Sequence, residues 1–355
     1  MNQTQRANPR LLLVAHRFAH HAEHSGLVPL MQLLPGVPVE GSALAERVLG
    51  VPWRIPQIRH RLKSRGMQYY SAQNLRRELP LLLGMLRRRG GLIHFLFGEF
   101  DLLLVTRWAR RLGWRAIATF HDTPARLEQK VNLNQVRWLD GAFCVARCQI
   151  PFFANLLPAD RVWFMPYGID TSFFCPAANP EQYAPRCLCV GGYQRDFEML
   201  AAVFTALRSR VPEVKLIGVI PEQYHATLPD IPGIELKAGL SDTALREEYR
   251  AAAMLLMPLQ DSTANTAINE ALACGLPIVT TDVGGTRDYL DERCAFLHPT
   301  GAVQDWVDSA SLLLRDPALN LAMRRAARAR GETLAWPRIV TQILEVYREA
   351  FGFVP

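Results

Sequence analysis

No uninterrupted apolar run in this 355-residue chain approaches the roughly 18 residues that a membrane span needs. Leu11-Leu12-Leu13-Val14-Ala15 is too short for the apolar core of a secretory signal and runs into Arg17 and four histidines. There is no Asp-x-Asp pair, so no two carboxylates are spaced to hold magnesium or manganese, and no metal cofactor is expected. No Gly-x-Gly-x-x-Gly follows a strand-like segment, which argues against a dinucleotide oxidoreductase. Cysteine is sparse and odd in number: seven, at 144, 148, 175, 187, 189, 274 and 294. Most of these lie in apolar, strand-like contexts and read as reduced core thiols of a cytoplasmic protein. Cys144 and Cys148 lack the second pair that a structural zinc site requires. Charged residues are only 21% against 49% hydrophobic, which excludes a largely disordered chain.

What is present suits two domains. Residues 1–175 hold 23 Lys/Arg and 11 Asp/Glu, a net of +12, whereas the remainder holds 17 and 22, a net of −5. Short apolar strands alternate with helical patterns throughout, the mark of a parallel α/β architecture. The expected strands of the first half are 11–15, 92–97, 116–120, 141–145 and 162–165. Those of the second are 187–191, 214–219, 253–259, 277–281 and 295–297. Pro176-Ala177-Ala178-Asn179-Pro180 reads as a linker. Ile339, Val340, Ile343, Leu344, Tyr347 and Phe351 share one face of a final amphipathic helix, 337–351. Arginines at 54, 59, 61, 65, 76, 77, 87, 88 and 89, with Lys63, bracket the apolar segment 79–86. Three readings stay open for this basic stretch: contact with anionic lipid, an acidic acceptor, or a solvated helix packed on the sheet.

The most informative segment is 257–281. It reads as a buried strand, a small polar loop, a short helix stopped at Gly275 and a second buried strand. Free amides at such a helix tip admit an anion. Four-residue spacing is expected to put Ser262, Thr266 and Glu270 on one face. A phosphate at the tip and a hydroxylated ring against Glu270 would lie about 12 Å apart at most, at 1.5 Å per residue. That separation suits a nucleotide sugar.

Glu270-Ala271-Leu272-Ala273-Cys274-Gly275-Leu276-Pro277-Ile278-Val279 resembles the donor-binding motif of family 4 retaining glycosyltransferases of the GT-B fold. Those enzymes carry another glutamate eight positions earlier, where this chain has Ser262 beside Asp261. The segment 165–176, with Pro166, Gly168, Asp170, Phe174 and Pro176, is similar to the family's entry into the interdomain linker.

The resemblance implies two Rossmann-like domains. The first (1–175 with the helix 337–355) would bind the acceptor and the second (176–336) a nucleoside diphosphate sugar. It also implies that the last helix crosses back to the first domain and that a hexose-type sugar passes to an acceptor hydroxyl with retention. Glu270 would hold ribose hydroxyls, while Ser262, Asn265 and His121 would orient the sugar. Thr266 and the loop amides would meet the diphosphate. Arg195, in the Gly191-Gly192-Tyr193-Gln194-Arg195 turn, would clamp that diphosphate, or else be a surface arginine. Gly26 fits the glycine that lets a donor phosphate approach. His94 and Glu99, at an earlier strand end, are weaker acceptor-side candidates. His16, His20 and His24 have i,i+4 spacing that a metal could use only on a helix, and the Ser25-Gly26 context favours a loop. The expected partners are therefore a nucleotide-sugar donor, a hydroxyl acceptor and an anionic membrane surface, but not nucleic acid. A non-catalytic nucleotide-sugar-binding protein of the same fold is the rival reading.

Overall fold

A computed structural model describes residues 8–15, 24, 26–42, 56–57, 60, 71–88, 90–179 and 183–354. Its contacts separate two units. One comprises Met1–His21, Leu30–Pro166 and Ile339–Pro355, the other Ala22–Pro29 and Tyr167–Arg338.

The first unit holds a six-stranded sheet of order β2-β1-β3-β4-β5-β6. Its strands are β1 (Asn8–Val14), β2 (Gly36–Pro38), β3 (Gly91–Phe95), β4 (Trp114–Phe120), β5 (Gly141–Cys144) and β6 (Val162–Phe164), all paired in parallel. Leu81 and Met85 of helix α1 (Ala72–Arg87) are buried in its core with Leu12, Ile93, Phe95, Trp114 and Phe120.

The second sheet has the order β12-β11-β10-β7-β8-β9. It comprises β7 (Arg186–Val190), β8 (Lys215–Val219), β9 (Ile234–Lys237), β10 (Met254–Met257), β11 (Ile278–Thr281) and β12 (Ala295–His298), again parallel throughout. The longer helices here are α2 (Phe197–Arg210), α3 (Asp242–Ala251), α4 (Thr266–Ala273), α5 (Val303–Arg315) and α6 (Pro317–Thr333). Helix α7 (Trp336–Phe351) starts in this unit and contributes Ile339 onward to the first.

All ten expected strands are present, within a few residues of their expected ends. The expected boundary at 175/176 differs from the contact division, which falls at Pro166/Tyr167. The reason is side-chain anchoring. Tyr167 donates its N–H to the Tyr289 hydroxyl (2.9 Å), and its carbonyl accepts from Asn269 Nδ2 (2.8 Å). Phe174 is fully buried edge-on against Tyr249. All seven cysteines are free thiols, five of them buried. Among the described residues no helix is long and apolar enough to cross a membrane.

Candidate functional site

In the second sheet the chain runs from β7 outward through β8 and β9, then returns to β10 on the other side of β7. Loops leaving the carboxyl ends of β7 and β10 therefore diverge at a topological switch point, the place where open α/β sheets take ligands.

The two loops are joined by their backbones. Asp196 donates to the Pro258 carbonyl and Gln260 to that of Gln194, both at 3.0 Å. Gly191 takes φ +82° and Gln194 +59°, a left-handed turn that folds Arg195 back over the end of β7. Arg195 Nε donates to Val190 O (2.9 Å), one terminal nitrogen to Tyr193 O (3.0 Å) and the other to Asn265 Oδ1 (3.3 Å). Three of its five N–H donors thus serve the protein. The guanidinium is thereby held as a fixed positive charge at the tip of α4. Burial lowers the guanidinium's pKa, opposed by Cys189, Tyr249 and Glu270.

Asn265 caps α4, its side chain accepting from Ala267 N (3.1 Å). The helix ends where Gly275 turns left-handed at φ +68°. Because α4 begins at Thr266, Ser262 lies outside it, and the expected common face reduces to Thr266 and Glu270. Ser262 Oγ donates to Thr263 O (3.2 Å), and Ser262 N donates to Asp261 Oδ1 (2.8 Å). The Ser262 carbonyl accepts from Gly285 N (2.8 Å), so the loop rests on the 283–286 turn. Glu270 is only 3% exposed and accepts a hydrogen bond on Oε2 from the Tyr249 hydroxyl at 2.7 Å. Tyr249 escaped the sequence reading because it belongs to no motif and sits, on a different helix, 21 residues before Glu270.

Gly26 adopts φ +73°, a turn only glycine takes readily. Beside it, His24 Nδ1 lies 2.9 Å from Asp170 Oδ2, and its ring stacks on Phe173 with centroids 3.7 Å apart. Burial raises the Asp170 pKa, but hydrogen bonds from Ser172, His24 and the Phe173 amide outweigh it and hold the carboxyl below its usual range. His16, His20 and Ser25 lie outside the described residues. His24 engages a carboxylate within the described residues.

In the first unit, His121 follows β4 with its ring stacked on Phe97 (4.2 Å). Glu99 Oε1 accepts the backbone N–H groups of His121 and Asp122, the latter at 2.7 Å, and Oε2 lies 3.6 Å from His121 Nδ1. Glu99 is thus a buried brace for the His121 turn instead of an acceptor-side group. His94 also departs from expectation. It is fully buried, with its two ring nitrogens against Tyr347 Oη and Thr119 Oγ1, and burial, then the charge of His121, pushes its pKa down to about 3. It is a core histidine.

Residues 184–316, which contain the β7–β10 switch point, match the family model described as Glycosyl transferases group 1. The match spans 133 of the chain's 355 residues, and over that stretch the chain is similar to the glycosyl transferases of group 1. Curated proteins similar to this chain include a D-inositol 3-phosphate glycosyltransferase of Arthrobacter sp. (strain FB24), 28% identical over 54% of the chain. Another is the sulfoquinovosyl transferase SQD2 of Arabidopsis thaliana, 26% identical over 54% of the chain. The matched regions are 51% and 41% of those proteins, so the chain spans about half the length of the curated relatives it matches. Among solved structures, Anabaena HepE, determined with UDP-glucose, superposes with a TM-score of 0.66 at 13% identity, covering 95% of this chain and 98% of that one. Sucrose-phosphate synthase of Thermosynechococcus elongatus gives 0.60 at 18% identity over 74% of each chain. The two parallel sheets are those of the GT-B fold.

Proposed function

We propose that this chain is a glycosyltransferase that moves a hexose-type sugar from a nucleoside diphosphate sugar to an acceptor hydroxyl, with retention of anomeric configuration and without a metal. The observation that carries the reading is Glu270, a buried carboxylate just over one turn inside a helix whose tip holds Asn265 and the Arg195 cation. A carboxylate there suits ribose hydroxyls. The cation and helix-tip amides suit a departing diphosphate, stabilising developing charge without added metal. Ser262 and Asn265, with His121 and Gly26, are assigned to the sugar and the donor phosphate by family resemblance. HepE was solved with UDP-glucose, so UDP and UDP-glucose are the first donors to try. Glu270→Ala is expected to raise the donor dissociation constant at least tenfold, about 1.4 kcal/mol. Calorimetry showing unchanged affinity in a folded variant would remove Glu270 from the site, and activity abolished by EDTA would end the metal-free reading.

A second reading, a nucleotide-sugar-binding protein without turnover, is favoured by one observation. Ser262 stands where the family carries a glutamate, and its hydroxyl is turned to the neighbouring carbonyl. Donor binding with no transfer or hydrolysis would select it.

A further inference from the structure

We infer that Tyr249 is a positioning residue of the nucleotide-sugar site, its hydroxyl fixing Glu270 in the orientation and charge state that receive ribose hydroxyls. The inference rests on the proposed role of Glu270.

A carboxylate with 3% exposure pays a large desolvation penalty unless donors hold it. Tyr249, wholly buried on α3, supplies such a donor at 2.7 Å, a charge-assisted bond of the stronger kind. The Tyr249 ring packs edge-on against Phe174, centroids 6.2 Å apart, which adds to the packing that holds the ring in place. Three other groups act on the same carboxylate electrostatically: Arg195 from the loop after β7, Tyr167 from the segment entering the unit, and Cys274 from the end of α4.

Burial first, and then the Glu270 charge, push the Tyr249 pKa well above the ordinary phenol value. The phenol therefore stays protonated across the physiological range and works as a constant donor, never as an acid or base. A hydrogen bond to the ionised form stabilises that form, so removing it must raise the pKa of Glu270.

The test is a double-mutant cycle on the full chain, with Tyr249→Phe, Glu270→Gln and the pair. UDP and UDP-glucose affinities are measured by calorimetry from pH 5 to 8. Tyr249→Phe is expected to weaken binding three- to tenfold and to move the acid-side loss of affinity to higher pH. In the Glu270→Gln background the same change should have almost no effect. Phe174→Leu, which loosens the ring without removing the hydroxyl, should lower the melting temperature and leave the acid limb in place. Unchanged affinity and acid limb in Tyr249→Phe, or independent effects of the two substitutions, would overturn the inference while leaving the Glu270 assignment intact. Failure of the unmodified protein to bind UDP or UDP-glucose overturns both.

Discussion

His94 shows what a single residue's surroundings decide. It follows a run of apolar residues at the end of a strand, the place where a catalytic histidine would also stand. Nothing in that local pattern distinguishes the two, because the partners Thr119 and Tyr347 are 25 and 253 residues away. The acid behaviour follows from its burial. The unfolded chain binds a proton near pH 6.5, whereas the folded imidazole does so only near about 3. Between those values the unfolded state holds more protons, so this contribution to stability is complete above about 6.5 and is lost as pH falls. His94→Gln should therefore flatten the decline of the urea midpoint between pH 7 and 5 relative to the parent protein. His298, whose pKa is also lowered, is common to both proteins and cancels in the comparison. Parallel slopes would show that His94 takes up its proton at the same pH in the folded and unfolded states. The helix that carries Glu270, by contrast, is legible from sequence, because strand, cap, helix stop and proline fall in one local run.

At the scale of elements, the sequence shows the strands that carry a continuous apolar run and hides those that do not. β2 and β9 went unread, and both are edge strands. β2 is three residues ending in Pro38, and only one residue of it is buried; β9 has no fully buried residue. Neither produces the continuous apolar run that marks β10 or β11. Loops are hidden for another reason: the shape of 261–265 depends on a turn some twenty residues later. A Cβ on Gly284, at φ +56°, would come within 2.0 Å of the Ser262 carbonyl oxygen. Gly284→Ala must therefore displace that loop or strain the turn, at a cost of about 1–3 kcal/mol. If the loop faces the transferred sugar, this variant loses affinity for UDP-glucose while retaining that for UDP. Equal losses for both ligands would place the loop elsewhere.

For the whole molecule the uneven charge is the feature with physical reach. The net of +12 over residues 1–175 includes the arginines of α1, where Arg76 and Arg87 are exposed alongside Leu83 (38%) and Leu86 (58%). Arg77 is withdrawn from that surface by its pairing with Asp101 at 3.0 Å. Arg54, Arg59, Arg61, Lys63, Arg65 and Arg89 lie outside the described residues. Exposed leucines beside cations suit the surface of an anionic bilayer, and we propose peripheral attachment there. Binding to vesicles rich in anionic lipid should weaken as salt rises, since charges are screened beyond about 10 Å at 0.1 M. Equal partition onto neutral vesicles would refute it.

The return of α7 carries a consequence in time. Tyr347 is buried against His94 and Phe143, Phe351 packs on Trp163, and Asn8 donates to the carbonyl of Val354. A ribosome finishes every strand of the first sheet well before it reaches Ile339, because the second unit is made in between. At about 5–20 residues per second, that sheet waits on the order of ten to thirty seconds for its last covering helix. The part synthesised first is thus the part completed last, and the second unit closes before it. A released chain truncated after Arg338 should show protease-sensitive β3–β6 beside a resistant second unit, and equal resistance of both would show that the sheet does not wait.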